Sequence, residues 1–304
     1  MSGVAFVTGA GGFLGGAAAS ALQAAGWLVA TLGHRGPAAP SLFFEGDVTL
    51  ERLGQAADTL GPPDLVFHAA GGASVGASLA DPEGDRSRTV GSLEQTLAFL
   101  RSDAPRARLI YPSSAAVYGS NARGAIPETA ELDPISPYGR HKAAAEALIA
   151  EASAGFGLDA VIIRFFSIYG PGLRKQLLWE LAGRLIQGPA EIELAGRGDE
   201  ARDFLFLDDA VALIAMAAGL PSLDQPLTLN GAAGQAVNVR EIAEALAQAM
   251  GVQTHIAFSG HVREGDPKSL VADVSQAAAL GFFPEVPLPA GLERLAAWFR
   301  SIQA

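Results

Sequence analysis

Residues 4–16 read VAFVTGAGGFLGG. Val4–Thr8 is a short apolar, β-leaning run. Five glycines follow, at positions 9, 11, 12, 15 and 16, and Phe13–Ala25 then has helical composition until Gly26 stops it. Glycine loses more conformational freedom on folding than any other residue, so this clustering needs a reason. Gly9, Gly12 and Gly15 form GxxGxxG between a strand and a helix. In such a unit the first glycine allows the tight turn and the second lets backbone approach a pyrophosphate. The third lets helix and strand pack closely, while the helix N-terminus offers N–H groups and partial positive charge. Turn glycines at a strand–helix junction give the same pattern, so the rest of the chain has to decide.

The alternation continues downstream. Strands are expected at Trp27–Leu32, Leu65–His68, Arg108–Tyr111 and Ala160–Phe166, with helices at Leu93–Arg101 and Tyr138–Ala152. Each strand is a nearly continuous apolar run, which fits a parallel sheet covered on both faces. After Gly170-Pro171-Gly172 the alternation loosens. A helix is expected at Leu177–Ile186, a strand at Glu191–Leu194 and a helix at Ala210–Ala218 with Asp208-Asp209 as its N-cap. A strand at Leu227–Leu229, an amphipathic helix at Val239–Met250 and a last helix at Gly291–Ile302 complete the chain. The expectation is an α/β protein: a Rossmann-type doubly wound parallel sheet with a smaller C-terminal α/β substrate-binding lobe. Residues 1–166 would form the dinucleotide-binding domain, with 203–232 returning to it. Residues 167–202 and 233–304 would form the smaller lobe.

Bulk properties narrow the function. The 304 residues are 49% hydrophobic and 17% charged, enough to bury a sizeable core. A net charge of −11 argues against an exposed nucleic-acid groove. There is no cysteine, which removes disulfides and thiolate chemistry, and the five histidines show no HxxxH or HExxH spacing, so no metal site is expected. No apolar run reaches membrane-spanning length. No basic run precedes the first apolar residues, so a cytoplasmic protein without signal peptide is expected.

The second strand ends Thr31-Leu32-Gly33-His34-Arg35. A site for NAD usually places a carboxylate here for the ribose 2′-OH. Gly33 fills that slot, and the Arg35 guanidinium suits a 2′-phosphate, so NADP is favoured over NAD. A solvated loop cation would look the same. Gly46-Asp47-Val48 follows a third short strand, either as an adenine contact or as a plain turn.

Farther on, Tyr138-Gly139-Arg140-His141-Lys142 places a tyrosine and a lysine four apart on one helix face. With four tyrosines and three lysines in the chain, chance gives YxxxK with a probability of about 0.04. An ammonium beside a phenol lowers its pKa, so the phenol can move the proton of a carbinol or ketone while hydride passes to or from a nicotinamide. Ser114, at the end of the strand in Tyr111-Pro112-Ser113-Ser114, can donate to the same oxygen.

These blocks resemble the extended short-chain dehydrogenase/reductases, in the nucleotide-sugar epimerase/dehydratase group, with a likeness to UDP-glucose 4-epimerases. The likeness runs through VTGAGGFLG at 7–15, GDVT at 46–49, FHAA at 67–70, SSAAVYG at 113–119 and SPYGRHKAAAE at 136–146. It continues through RFFSIYGPG at 164–172, GRGDEARDFLFLDD at 196–209 and REGDPKSLVADVSQAAALGF at 263–282. The resemblance implies Ser114, Tyr138 and Lys142 as the catalytic triad. It implies Gly9, Gly12, Phe13 and Leu14 at the pyrophosphate, and His34, Arg35, Asp47 and Val48 at the adenosine end. Ala69, Ala70, Tyr138, Lys142 and Phe165 would lie along the rest of the cofactor, with strand packing the other reading of Phe165. Ser74, Ser114, Ser167, Arg202 and Arg263 would face a nucleotide-diphosphate sugar, with a surface ion pair the other reading of each arginine.

Three departures stand out. The dehydratase branch carries acidic residues just after the catalytic serine or threonine, where this chain has Ala115 and Ala116, so dehydration is disfavoured. Ser167 stands where the family has asparagine, and Arg88-Thr89-Val90-Gly91-Ser92 replaces Asn-Val-x-Gly-Thr. His68 is expected to be packed rather than catalytic. The expected activity is NAD(P)-dependent epimerisation through a 4-keto intermediate. Reduction of an NDP-4-keto-6-deoxysugar by NADPH is the alternative, and a non-catalytic cofactor sensor the third reading. A homodimer paired through the helix of Tyr138 is expected, although Ala143–Ala147 could equally pack within one subunit.

Overall fold

The computed structural model describes residues 3–37, 41–119, 124–261 and 268–303. In chain order the elements of the first half are β1 (Val4–Thr8), α1 (Phe13–Ala24), β2 (Leu28–Gly33), β3 (Leu42–Glu45), α2 (Leu50–Leu60), β4 (Leu65–His68), α3 (Val75–Ala80), α4 (Pro82–Arg86), α5 (Ser92–Asp103), β5 (Arg108–Ser114), β6 (Ala125–Ile126), α6 (Pro137–Phe156) and β7 (Ala160–Phe165). A π-helical turn at Ser87–Gly91 joins α4 to α5. The second half contains β8 (Ser167–Tyr169), α7 (Gln176–Leu185), β9 (Glu191–Leu194), β10 (Ala201–Arg202), β11 (Phe204–Phe206), α8 (Leu207–Gly219), β12 (Leu227–Gly231), β13 (Val237–Asn238), α9 (Val239–Ala249), β14 (His255–Phe258), β15 (Ser269–Ala272), α10 (Ser275–Ala279) and α11 (Leu288–Ser301).

The chain divides into two compact units. One comprises Met1–Gly119, Glu131–Phe165 and Val211–Leu229; the other comprises Ser120–Ala130, Phe166–Ala210 and Asn230–Ala304. A seven-stranded sheet, order β12-β7-β5-β4-β1-β2-β3, is the centre of the first. Every strand pair from β7 to β3 is parallel. Its core is built by apolar strand residues such as Phe6, Leu32, Val66 and Leu109, met by Leu53, Leu97, Ala145 and Ile149 from helices. Strand order reverses beside β1: β2 and β3 lie on one side, β4, β5 and β7 on the other. Open α/β sheets bind ligands outside the strand carboxyl ends at such a reversal.

The second unit holds small sheets, β13-β10-β15-β6, β11-β8 and β14-β9. Its buried Asp203 ties three segments together, accepting from the backbone N–H groups of Ala233 (2.8 Å), Gly234 (3.0 Å) and Ala272 (3.2 Å). One local expectation is corrected here. Asp208 and Asp209 do not cap α8 but lie inside its first turn. Asp209 instead accepts from the N–H groups of Glu285 and Val286, and Asp208 pairs with Arg294 at 2.8 Å. No helix among the described residues is long and apolar enough to cross a membrane.

Candidate active site

β1 ends at Thr8, in register with Leu32 of β2 and His68 of β4. Gly9 turns the chain with φ +68°, its N–H donating to Leu32 O at 2.8 Å. A Cβ on Gly9 would stand 2.6 Å from the Ala69 carbonyl carbon and 2.7 Å from Ala70 N, so the turn lies directly against the end of β4. Thr8 fixes that contact: its carbonyl accepts from Ala69 N at 3.2 Å and its Oγ1 from Ala70 N at 3.1 Å. Gly12 N donates to Gly9 O, and a Cβ on Gly15 would collide with the same carbonyl oxygen. Helix α1 therefore starts against the strand, with Gly12 as an N-cap that has no side-chain acceptor over the first turn of Phe13 and Leu14. Bare N–H groups at a helix start beside a strand reversal fit a pyrophosphate.

At the end of β2, Gly33 carries no side chain and receives Gly46 N on its carbonyl. Arg35 lies against the glycine loop, since a Cβ on Gly11 would strike its carbonyl oxygen. His34 Nε2 and Asp47 Oδ1 are 2.8 Å apart on the surface. Val48, by contrast, is buried in the core. His68 is fully buried, bonded to Thr8 and Thr96 through Nδ1 (3.1 and 3.0 Å) and to Ser92 through Nε2 (3.2 Å). Burial, with the Lys142 charge as second cause, pushes it down to about 3, so it is a neutral packing residue.

Helix α6 presents the tyrosine–lysine pair. Its N-cap Ser136 accepts from Gly139 N at 3.1 Å, Pro137 starts the first turn, and Tyr138 N donates to Ser78 Oγ at 3.0 Å. Four residues on, Lys142 is buried and donates from Nζ to the Pro112 carbonyl of β5 at 2.8 Å. Nζ lies 5.9 Å from the centre of the Tyr138 ring. Ser114, the last residue of β5, faces the Tyr138 phenol, and its hydroxyl pulls that phenol's pKa down. Ser114, Tyr138 and Lys142 are thus brought together. Phe165 ends β7 in register with Ser114 and is buried.

The expectation that the Lys142 ammonium lowers the Tyr138 phenol is not met: the phenol lies above its ordinary value. Burial raises it, the Ser114 hydroxyl pulls it back, and the Asp85 charge adds to the rise. Asp85, from α4, is buried and paired with His141 Nδ1 at 2.6 Å, one turn along from Tyr138. Neither residue was legible as a site residue, because the partners are 56 positions apart and no motif joins them. A second cluster follows on the same helix. Glu146 accepts from Ser113 Oγ (2.5 Å) and from Arg164 Nη2 (2.6 Å) and Nε (3.1 Å), and Arg164 Nη1 donates to the Tyr118 hydroxyl at 3.2 Å.

The remaining candidates fall elsewhere. Ser74 caps α3, its Oγ accepting from Ala77 N at 3.2 Å. In the second unit, Ser167 begins β8 and bonds through N to Asp203 O (3.0 Å), while Arg202 on β10 is half-buried, its Nη1 on Ala201 O at 2.8 Å. Arg263 lies outside the described residues. Among those described, no cluster of three or more His, Asp or Glu could hold a metal ion.

A parallel sheet with a glycine turn at its strand reversal is a Rossmann-type nucleotide-binding fold. The chain belongs to the NAD dependent epimerase/dehydratase family, whose model matches residues 5–230. It is 31% identical over 328 residues to a UDP-glucose 4-epimerase of Azospirillum brasilense, covering 98% of this chain and 92% of that protein. The structure of MoeE5, solved in complex with UDP-glucuronic acid and NAD, superposes with a TM-score of 0.88 at 30% identity, covering 98% of this chain and 99% of that one. A Thermus thermophilus UDP-glucose 4-epimerase complex with NAD superposes with a TM-score of 0.87 at 28% identity, covering 98% and 99%.

Proposed function

We propose that the protein is an NAD(P)-dependent nucleotide-sugar 4-epimerase acting on a UDP-hexose or UDP-hexuronic acid. The observation that carries this reading is the convergence of Ser114, Tyr138 and Lys142 at the carboxyl end of β5. Gly9, Gly12, Phe13 and Leu14 hold the pyrophosphate of the dinucleotide, with Ala69 and Ala70 along its path. Bound NAD+ supplies the hydride acceptor and later donor, together with the positive charge of its ring.

Tyr138 takes the proton of the sugar 4-hydroxyl, and Ser114 donates to the same oxygen as it becomes a carbonyl. Lys142 keeps positive charge beside the phenolate that Tyr138 needs to be a base. Once the 4-keto sugar has turned to present the other face of C4 to the returning hydride, Tyr138 gives the proton back to the 4-oxygen. Ala115 and Ala116 follow Ser114 as a short helical turn and offer no proton to a leaving 6-hydroxyl, which sets dehydration aside. Ser167 and Arg202 serve the sugar and diphosphate, with Arg263 as a further arginine in the sequence. The exposed Ala144 and Ala147 of α6 support pairing of two subunits along that helix.

The test is conversion of UDP-glucose or UDP-glucuronic acid to its C4 epimer by the purified protein with NAD. Tyr138→Phe should lower kcat by roughly 10²–10⁴-fold with KM little changed. Failure to convert any UDP-, GDP-, CDP- or dTDP-sugar would sink the proposal. A second reading, an NADPH-dependent 4-ketosugar reductase, is favoured by the missing side chain at Gly33 and by Arg35 against the glycine loop. The dinucleotide released on denaturation separates the two: retained NAD+ supports the epimerase, exchangeable NADPH the reductase.

A further inference from the structure

Lys142 has a second aromatic neighbour besides Tyr138. Its Nζ stands 4.7 Å from the centre of the Tyr111 ring, nearer than the 5.9 Å to Tyr138. Tyr111 is fully buried in β5, one residue before the carbonyl that Nζ bonds. The same ring is stacked with His68, centroids 6.2 Å apart and planes at 22°. The ammonium thus rests on a Tyr111 and His68 stack that is anchored through Thr8, Ser92 and Thr96 to β1 and α5. We propose that Tyr111 is a positioning residue of the reaction: its ring face carries the Lys142 ammonium and holds it beside the Tyr138 phenol. This rests on the catalytic reading of Tyr138 given above.

The chemistry of the stack fits that role. A cation over an aromatic face is attracted by the ring quadrupole, more strongly when both are desolvated. Burial first, then the charges of Tyr138, Glu146 and Asp85, push the Tyr111 phenol well above its ordinary value, so its ring stays neutral. The Tyr111 hydroxyl meets no hydrogen-bond partner among the described residues, so the ring is the functional part. His68 stacked with it is neutral, as it must be to lie near an ammonium. The other charges facing this region are tied in pairs: Asp85 of α4 with His141, and Glu146 of α6 with Arg164 of β7. Lys142 is the cation that stands over the Tyr138 ring, 5.9 Å from its centre, and what fixes its position fixes how strongly its charge reaches a phenolate there.

The sign follows. Without the ring the ammonium loses its seat, its field at Tyr138 weakens, and the phenol ionises at higher pH. Turnover that needs Tyr138 as a base then reaches its plateau at higher pH. Tyr111→Leu should lower kcat at pH 7 about tenfold and move the acid limb of the kcat–pH profile up by about one unit, with KM little changed. Tyr111→Phe, which keeps the ring, should restore the limb and hold kcat within about twofold. Should the leucine variant fail to fold by thermal melting, Tyr111→Met makes the same comparison. A folded aliphatic variant with the wild-type limb overturns the proposal, as does a phenylalanine variant shifted as far as the leucine one. Tyr138→Phe, run in parallel, separates the two claims. If it stays active, the catalytic reading has failed; if it is inactive while Tyr111→Leu leaves the limb unmoved, only the positioning role has failed.

Discussion

At Gly15 the difference between a hydrogen and a methyl group decides how closely α1 can approach β1. A Cβ there would collide with the Gly9 carbonyl, and Gly9 cannot retreat, because it is held at φ +68° against Ala69 and Ala70 and bonded to Leu32. Overpacking against fixed backbone costs about 1–3 kcal/mol, offset in part by the roughly 1 kcal/mol that alanine gains over glycine in a helix. Gly15→Ala should therefore lower stability by up to about 2 kcal/mol in urea unfolding and weaken dinucleotide binding in titration calorimetry. A variant as stable and as tightly binding as the wild type would show that the turn has room to spare. The spacing of Gly9, Gly12 and Gly15 was open to reading because its cause is local: each serves a turn made of its own neighbours. Tyr111 was not, because its role comes from a side chain 31 positions away that only folding brings near.

Helix α6 shows the same division one scale up. Tyr138, Lys142 and Glu146 recur every four residues and form one stripe on it. The first two announce themselves as YxxxK, whereas Glu146 looks like any helical glutamate until Ser113 and Arg164 meet it. It joins β5 and β7 to the helix that carries the tyrosine. Removing one partner of a buried ion pair leaves the other charge uncompensated, at a cost of about 3–5 kcal/mol. Glu146→Ala should lose stability on that scale in denaturant unfolding, with Arg164 stranded; a loss below about 1 kcal/mol would mean that the cluster contributes little. Among elements, the apolar runs Val4–Thr8 and Leu65–His68 lie where the sequence puts them, because a strand buried on both faces has no polar positions to blur it. Glu191–Leu194 is found where expected for a different reason: its glutamates are exposed and Ile192 and Leu194 buried, the alternation of a half-buried strand. Helix α2 was legible yet is absent from the expected elements. Its apolar face, Leu53, Ala56, Ala57 and Leu60, lies between a Thr49 cap and Gly61, a helical pattern that the sequence carried and the expectations did not use. Two-residue strands such as β6, β10 and β13 exist through their partners alone.

For the chain as a whole, the sheet-bearing unit is not finished where its last central strand ends. Val211–Leu229 belongs to it, and β12 lies beside β7 as the outer strand. The tie is chemical as well as topological. Arg108, buried at the start of β5, donates to Ala217 O (2.8 Å), Leu220 O (2.8 Å) and Pro221 O (2.6 Å), as well as bonding bidentately to Asp159. Those carbonyls lie more than 100 residues further along the chain and are supplied only when the chain comes back. A fragment ending at residue 166 keeps the glycine turn, Ser114, Tyr138 and Lys142, yet it leaves the guanidinium with Asp159 alone and bares the edge of β7. Each orphaned buried donor costs about 1–3 kcal/mol, and an open apolar strand edge invites pairing with other chains. Since an ordinary domain is stable by only about 5–15 kcal/mol, this fragment should elute as aggregate in size exclusion and show no cooperative melt. Arg108→Ala in the full chain asks the same question without exposing an edge: it should lower stability by a few kcal/mol, about 1–3, if the returning segment is held as strongly as its three carbonyl contacts imply. A fragment that is monomeric and melts cooperatively would mean that the unit closes without its return.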